Sequence, residues 1–404
     1  MIVGPTFARA PRPGEPTIAL ARYAGVAGAQ MLHIVPAAQY ASAPPVLHGY
    51  VAASAGRDVW FRGLLARPSV ACPAEAVMLY RDAWLLDGKQ VLASDTTAVA
   101  ESFVNLLVTD AILARHAETL ARIARGEGTQ VAEAGPPVVA IFNEACMNYG
   151  HVLVESLPRL LHLEAAGIRR MRLALPAEAA KLRPMVEFAL AALGLEAEFL
   201  PCPPGSILRV PALHWVSAVA RHEHRKSPTL LRLAERLRAA APVAAFGATT
   251  PGATTPGVTT PGATTRGATT RGARLYLARP DGARRRVANA TAIEAIATRM
   301  GYRVVEPSRL SFAEQVALFA GARVAVGPMG AALASIGLMP PGGRVGMFEG
   351  GNCDPFFWDL ACLAGHAFHW AFTAPATDYD MAMLEREMTI APALAEAVLG
   401  ELAG

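Results

Sequence analysis

At 404 residues the chain is long enough for two or three domains, since ~100–200 residues per domain is usual. Hydrophobic residues make up 53% and charged residues 17%, a composition that excludes a disordered protein. The net charge of +4 is small and the basic residues are scattered, which argues against a nucleic-acid partner.

The first half of the chain is predicted to contain a strand-rich lead-in followed by one α/β lobe. Short apolar runs at residues 76–80 and 82–86 favour strands, so residues 1–130 are interpreted as a lead-in associated with the N-terminal lobe. From Pro137 an apolar run, a polar loop and a segment with helical spacing follow one another, and this order recurs to about residue 240. Such alternation is typical of a parallel sheet, so residues 131–245 are predicted to form the N-terminal α/β acceptor lobe.

A repetitive segment separates the two halves. Residues 246–273 hold a tandem Gly-Ala-Thr-Thr-Pro array that drifts to Gly-Ala-Thr-Thr-Arg. The array is too poor in large apolar side chains to pack, so it is predicted to be a flexible linker or loop. It is either a hinge between lobes or a repeat expansion in a surface loop, and the low free-energy cost of lengthening a loop favours the second.

Residues 274–404 are predicted to form a second, doubly wound α/β lobe. Strands are expected at residues 274–277, 302–305, 323–326 and 344–348, with a helix at 331–338. Thr291 with Glu294, and Ser311 with Glu314, have the spacing of capping boxes that begin helices. A last helix, at about residues 381–402, is expected to return and pack on this lobe.

A turn of small residues, 327–332, lies between a predicted strand and a predicted helix. Backbone N–H groups and the positive end of a helix dipole can approach an anion there, so Gly327 and Gly330 are candidates for holding a diphosphate. The alternative is close packing of the strand on the helix. Glu349 follows the next strand, where an acid can bind ribose hydroxyls or simply lie in a solvated loop.

A histidine and a glutamate are placed four residues apart at a loop-to-helix junction. His151 and Glu155 should share one helical face, so that the carboxylate orients the imidazole as a general base. The alternative is a histidine that caps the helix or packs in the core.

No metal site is predicted from the remaining polar motifs. His222-Glu223-His224 lacks a third ligand, and Asp378-Tyr379-Asp380, although it has the form that binds a metal diphosphate in some transferases, lies in the C-terminal tail. The run Arg284-Arg285-Arg286 could reach a phosphate or remain a solvated basic segment.

The cysteines and the N-terminus indicate the compartment. Five cysteines are widely spread without a C-x-x-C pair, which argues against a disulfide framework and favours a reducing environment. No secretory signal pattern and no run of ~20 apolar residues is seen, so a soluble cytoplasmic protein is expected. A peripheral contact with the inner face of the membrane stays open, and the sequence does not indicate the oligomeric state.

Several motifs in order resemble glycosyltransferase family 61, which includes plant xylosyl- and arabinosyltransferases, animal O-linked N-acetylglucosaminyltransferases and many bacterial polysaccharide enzymes. The resemblance covers most of residues 75–375. The matching residues are Asn148-Tyr149-Gly150-His151 with Glu155 and Leu157-Pro158-Arg159-Leu160; Arg279, Arg285-Arg286 and Asn289; and Leu310-Ser311, Glu314-Gln315-Val316, Gly330-Ala331-Ala332-Leu333 and Met339-Pro340-Pro341-Gly342.

The resemblance implies a GT-B-like α/β fold, with two Rossmann-like lobes facing a cleft, inversion at the anomeric carbon and no essential metal or cofactor. It implies that the C-terminal lobe holds the nucleotide sugar, through Arg279, Arg285, Arg286, Asn289, Gln315, Ala331 and Ala332 beside the glycine loop. It places Asn148, Tyr149 and Arg159 on the acceptor side. The chain departs from the family at Met329, where members usually carry His, and at Val152, where Trp is common.

The function expected from the residues and the resemblance is a bacterial-type inverting glycosyltransferase that moves a sugar from a nucleotide sugar to a glycan or other hydroxyl acceptor, in polysaccharide biosynthesis. A degenerate, non-catalytic sugar-nucleotide-binding partner subunit is the alternative, because Met329 cannot donate a hydrogen bond to phosphate. A dinucleotide oxidoreductase is disfavoured because no G-x-G-x-x-G run is present.

Overall fold

Two large sheets carry the architecture of the chain. The computed structural model describes residues 19–21, 25–26, 28–94, 97–103, 118–221, 225–242, 272–280, 285–377 and 386–404. Strands and helices alternate along most of these ranges, so the predicted α/β class is confirmed. None of the helices in these ranges combines the length and the apolar character needed to cross a bilayer.

The strands and helices are numbered in chain order over the described residues. The strands are β1 (Ala19–Ala21), β2 (Gln30–Val35), β3 (Ala38–Ala41), β4 (Val46–His48), β5 (Ser69–Cys72), β6 (Glu75–Leu86), β7 (Gln90–Ser94), β8 (Thr97–Val99), β9 (Thr129–Gln130), β10 (Val138–Ala140), β11 (Arg170–Pro176), β12 (Glu196–Cys202), β13 (Ile207–Val216), β14 (Ala220–Arg221), β15 (Arg225–Lys226), β16 (Ala273–Leu277), β17 (Arg303–Val305), β18 (Ala322–Pro328), β19 (Arg344–Glu349) and β20 (Ala367–Phe372). The α-helices are α1 (Ala55–Leu65), α2 (Ala100–Phe103), α3 (Tyr149–His151), α4 (Arg159–Ala165), α5 (Arg183–Leu193), α6 (Thr229–Ala240), α7 (Ala290–Arg299), α8 (Phe312–Ala320), α9 (Phe356–Ala364) and α10 (Pro392–Ala403). A π-helical turn covers Val152–Ser156, and 3₁₀ helices cover Ala177–Leu182, Pro307–Arg309 and Ala331–Leu338.

The first sheet joins the lead-in to the N-terminal α/β region. Its path is β1-β8-β7-β6-β13-β10-β11-β12, with β2 on β6 and β9 on β13. The strands from β13 to β12 are parallel, and β6 then pairs antiparallel with β13. Because chain order reverses at β10, ligands are expected beyond the carboxyl ends of β10 and β13.

The second sheet is parallel throughout, in the order β17-β16-β18-β19-β20-β4. Chain order reverses between β16 and β18, so the carboxyl ends of these two strands mark the expected ligand crevice. The edge strand β4 comes from the lead-in, which therefore supplies strands to both sheets rather than to the first alone.

One buried cluster runs from the first sheet to the second. It includes Val139 and Leu173 of the first sheet, Leu333 of the 3₁₀ helix Ala331–Leu338, and Leu275 and Val345 of the second sheet. The opposite face of the second sheet is covered by α7 and α10. The 3₁₀ helix therefore packs in the core that the two sheets share.

Some predicted element boundaries are wrong in an instructive way. The capping box at Ser311 and Glu314 is present, and it begins α8. No such box begins α7, whose N-cap is Asn289 and makes no side-chain cap hydrogen bond. The helix predicted at 331–338 is a 3₁₀ helix. Within 381–402, the described helix begins at Pro392.

Several predicted motifs lie outside the described residues. These are residues 243–271 of the repeat region, His222-Glu223-His224, Arg284 and Asp378-Tyr379-Asp380.

Candidate active site

The residues after β10 form the centre of the candidate site. Asn148 caps α3, because its Oδ1 accepts a hydrogen bond from the Gly150 N–H at 2.8 Å. The helix then widens into the π-helical turn, and the Leu157 N–H donates to the Val152 carbonyl at 2.9 Å. Such widened turns occur frequently at functional sites.

A chain of buried polar side chains lies in this turn. The Glu155 Oε1 is 2.9 Å from the His151 Nδ1, so the contact expected from their spacing is present. The Asn143 Nδ2 donates to the other carboxylate oxygen of Glu155 at 2.6 Å. The orientation of the Asn143 amide is set by the Ala145 N–H, which donates to the Asn143 Oδ1 at 3.0 Å.

This chain of bonds sets the tautomer of His151. An ionised carboxylate accepts hydrogen bonds only, so Nδ1 carries the proton and the lone pair resides on Nε2. The side chain of His151 is 10% exposed and Glu155 is fully buried. The imidazole also contacts the ring of Phe356, with the ring centroids 5.5 Å apart. The imidazole of His151 is thereby held in one orientation and is nearly desolvated.

Arg159 is buried, and it interacts electrostatically with Glu155 instead of being exposed to solvent. It is 3% exposed, and burial lowers its pKa to about 10, while Glu155 and Glu75 favour its charged form. Glu75 in turn accepts from His162, whose Nε2 is 2.7 Å from Oε2. Arg159 therefore balances buried carboxylates, and in this conformation it is not placed to touch an acceptor.

The motif that carries His151 packs directly on the 3₁₀ helix Ala331–Leu338, which follows β18 of the second sheet. The Tyr149 and Ser335 hydroxyl oxygens are 2.8 Å apart. A Cβ atom on Gly150 would lie 3.2 Å from the Ala334 Cβ and 3.5 Å from the Ala331 carbonyl oxygen. Glycine is needed here because the backbone of α3 and the 3₁₀ helix Ala331–Leu338 approach so closely.

A cleft of about 520 Å³ opens beside this contact. Its lining includes Met147, Tyr149 and Lys181 from the segment that follows β10, and Gln315, Ala331 and Ala332 from the region of the second sheet. Four residues predicted at separate points of the sequence therefore line one cavity: Tyr149, Gln315, Ala331 and Ala332. His151 is not part of its lining. It lies two residues beyond Tyr149, against the first residue of α9.

The predicted phosphate loop lies at the carboxyl ends of β16 and β18, where a ligand crevice is expected. Arg279 follows β16, and its Nη1 donates to the Met329 carbonyl after β18 at 2.6 Å. Burial, and secondarily Arg285, lowers the pKa of Arg279 to about 10, so Arg279 stays charged at neutral pH. A Cβ on Gly330 would lie 2.7 Å from the same Nη1. The crevice is therefore bordered by cationic side chains.

Residues 149–346 match the family model described as Glycosyltransferase 61. Through this segment the chain belongs to glycosyltransferase family 61. No curated protein matches the chain significantly. Membership supports glycosyltransferase activity, and with it a sugar donor and an acceptor. The matched segment of this family 61 protein contains His151, Glu155 and the Gly330 loop, whereas Asn143 and Glu349 lie outside it.

Two of the residues predicted to bind the donor instead hold the C-terminal segment of the family 61 protein. The Asn289 amide donates to the Ile390 carbonyl at 2.7 Å and accepts from the Ile390 N–H at 3.1 Å. Arg286 pairs with Glu387 at 2.9 Å at the surface. Neither residue lines the cleft. Asn148, predicted on the acceptor side, serves as a helix cap.

Gly327 and Glu349 are also placed in the interior. A Cβ on Gly327 would lie 2.7 Å from the Leu277 carbonyl oxygen, so this glycine permits close packing of β18 on the end of β16. Glu349 is fully buried, and its Oε1 accepts from the Cys353 N–H at 2.7 Å. Burial raises the pKa of Glu349 to about 7. In this conformation Glu349 cannot reach a ribose.

Asn143 and Phe356 are site residues that the sequence analysis missed. Asn143 is the first polar residue after the apolar run that forms β10, a position where sheets of this strand order bind ligands. That placement could have identified Asn143 as a candidate site residue from the sequence. Phe356 meets His151 only through the folding of distant segments, and the sequence gives no sign of it.

Proposed function

We propose that the chain is an inverting glycosyltransferase with a GT-B arrangement, in which the cleft between the lobes binds a nucleotide sugar and the acceptor hydroxyl reaches His151 beside that cleft. The observation that carries the proposal is the hydrogen-bonded chain Asn143–Glu155–His151, held beside the contact between the lobes. An oriented imidazole backed by a buried carboxylate is the arrangement that general-base catalysis needs.

The proposed reaction is a single displacement. The acceptor hydroxyl gives its proton to the His151 Nε2 as its oxygen bonds to the anomeric carbon. The bond from that carbon to the nucleotide diphosphate breaks, and the electron pair leaves with the diphosphate. Glu155 stabilises the imidazolium formed, and Asn143 keeps the carboxylate in place.

The leaving diphosphate would be stabilised from the second lobe. Arg279 and Arg285 supply positive charge close to the Gly330 loop, and Ala331 and Ala332 leave room for the donor in the cleft. Lys181 adds an exposed cation on the opposite wall. These side chains neutralise the leaving group without a divalent ion, so we propose transfer without a metal or cofactor, in cytoplasmic polysaccharide biosynthesis.

Separate variants test the base and the donor cleft. Replacing His151→Ala should lower turnover by ~10²- to 10⁴-fold while donor affinity changes little, because the donor touches the other wall. Replacing Ala332→Phe should weaken donor binding, because the ring fills part of the cleft. His33→Ala and Ala240→Phe, which lie outside this site, are the matched controls.

The measurements are calorimetric titration with nucleotide sugars, after a thermal-shift screen has identified a donor that binds. Turnover near the normal rate in His151→Ala would reject the base assignment. An unchanged donor affinity in Ala332→Phe would reject the assignment of the cleft as the donor-binding site.

A non-catalytic partner subunit is the second candidate, and Met329 is the observation that favours it. Met329 is 2% exposed and packs in the shared core, so its side chain offers a phosphate no hydrogen bond. This candidate predicts donor binding without turnover in the wild-type protein, with every acceptor tested.

A further inference from the structure

Two histidines and a glutamate from distant parts of the chain meet at the edge of the second sheet. His48 lies on β4, His369 on β20 and Glu401 on α10. Among the described residues, this is the group of His, Cys, Asp and Glu side chains whose donor atoms lie close enough to hold a metal ion. None of the three lines the cleft.

The strand register explains why they meet. In the parallel pair β4 and β20, His369 is opposite Val46 and Ala371 is opposite His48. Opposed residues point to the same face, as do residues two apart on a strand, so both histidines lie on one face. Ala371 and residues of α10 share a buried cluster on that face. Glu401 is therefore carried to the histidines by the packing of α10.

The donor atoms are spaced as ligands of one ion. The His48 Nε2 is 3.1 Å from the His369 Nδ1. The Glu401 Oε2 is 3.8 Å from the first nitrogen and 3.6 Å from the second. A tetrahedral zinc ion with bonds of ~2.0–2.1 Å to nitrogen and oxygen keeps its ligands ~3.3 Å apart. The three atoms need shifts of only a few tenths of an ångström to reach that geometry.

We propose that His48, His369 and Glu401 form a zinc site that ties β4 and α10 to β20. Two imidazoles and one carboxylate suit Zn²⁺, whereas Mg²⁺ and Ca²⁺ prefer sets of oxygen ligands. The side chain of Glu401 is 54% exposed, so water can complete the coordination.

The alternative is a direct hydrogen bond between the two imidazoles. Their rings are nearly parallel, at 19°, and the nitrogen separation of 3.1 Å also suits an N–H···N bond. In that arrangement Glu401 is a surface carboxylate with no role in the pair. The two accounts differ in whether Glu401 affects zinc affinity.

The experiment is a zinc titration of the full chain, free of any histidine tag and stripped with a chelator. Calorimetry measures affinity and stoichiometry, and Co²⁺ substitution reports the ligand set by visible absorption. The variants are His48→Ala and Glu401→Gln. Glu396→Gln is the matched control, because Glu396 is a surface carboxylate on the same helix, paired with Arg299. All variants keep the five cysteines, so any adventitious binding of zinc to thiols is the same in each of them.

We expect one zinc ion per chain, a melting temperature that rises with zinc concentration, and affinity at least tenfold weaker in His48→Ala and in Glu401→Gln. Glu396→Gln should bind zinc as the wild type does. Since Glu401 is on the surface, its variant keeps the test decisive even if His48→Ala does not fold. Wild-type affinity in Glu401→Gln, or no stoichiometric binding in the wild type, would overturn the proposal.

Discussion

Replacing Glu349→Gln should stabilise the protein, and increasingly so as the pH rises. Glu349 is fully buried, and burial raises the pKa of its carboxyl from 4.5 to about 7. Asp354 raises it further, whereas the Cys353 N–H, the Trp370 side chain and the Asp354 N–H act in the opposite direction. Since Gln is always neutral, the variant removes the cost of holding a charge at this position.

The sign follows from the direction of the shift. The folded protein binds the proton more tightly than the unfolded chain, so the neutral carboxyl contributes stability below pH 4.5 that is lost as the pH rises through 7. A rise of the Glu349 pKa from 4.5 to about 7 corresponds to about 3 kcal/mol of folding free energy. For a chain of 404 residues this is a shift in melting temperature on the order of 4 °C. The Gln side-chain oxygen can still accept from the Cys353 N–H.

Melting temperatures of the wild type and of Glu349→Gln, measured from pH 4.5 to pH 8 in one buffer series, test this reasoning. The difference between them should widen up to about pH 7 and then level off. Glu396→Gln, which changes an exposed carboxyl, should show no comparable trend. If the difference between Glu349→Gln and the wild type is the same at pH 5 and pH 8, the buried carboxyl does not titrate as argued.

Four further predictions concern the site and the linker. Gly150→Val should destabilise the fold by ~1–3 kcal/mol, because the added methyl groups meet Ala334 and the Ala331 carbonyl, and chemical denaturation would detect it. Asn143→Ala should lower kcat about tenfold with little change in KM, since Glu155 loses a hydrogen bond that positions it; an equal rise in KM would point instead to a binding role. Shortening residues 247–271 to a brief Gly/Ser linker should leave melting temperature and donor binding nearly unchanged, and a large loss of either would show that the array is structural. Turnover at 25 °C should persist in excess chelator even where the melting temperature falls, whereas loss of turnover with recovery on adding manganese would implicate Asp378-Tyr379-Asp380.

Four of the six strands of the second sheet, β16 to β19, were predictable from the sequence because each is a short apolar run followed by a helix. The capping box at Ser311 was also readable, since it depends on two residues three apart. At Thr291 the same pattern gave a wrong prediction, because the helix is capped two residues earlier, at Asn289, whose side chain bonds to the backbone of Ile390. The spacing of neighbouring residues carries no information about a contact with a segment a hundred residues away.

In the candidate site, too, contacts between nearby residues were predictable from the sequence, whereas contacts between distant segments were not. The contact between His151 and Glu155 follows from helical spacing, and it persists in the π-helical turn. The burial of Arg159 and Glu349 does not follow from local pattern, because charged side chains near loops are usually exposed and only the tertiary packing encloses them. The pairing of β4 with β20 likewise joins residues more than three hundred positions apart.

The place of β4 has a practical consequence for dissecting the protein. A fragment beginning at residue 274 would contain the glycine loop and five of the six strands of its sheet, yet it would leave the edge of β20 without a partner. An unpaired edge strand is a template for self-association. Residues 274–404 are therefore not a portable module in the linear sequence, and an exchange of this region between members of the family would have to carry residues 46–48 along with it.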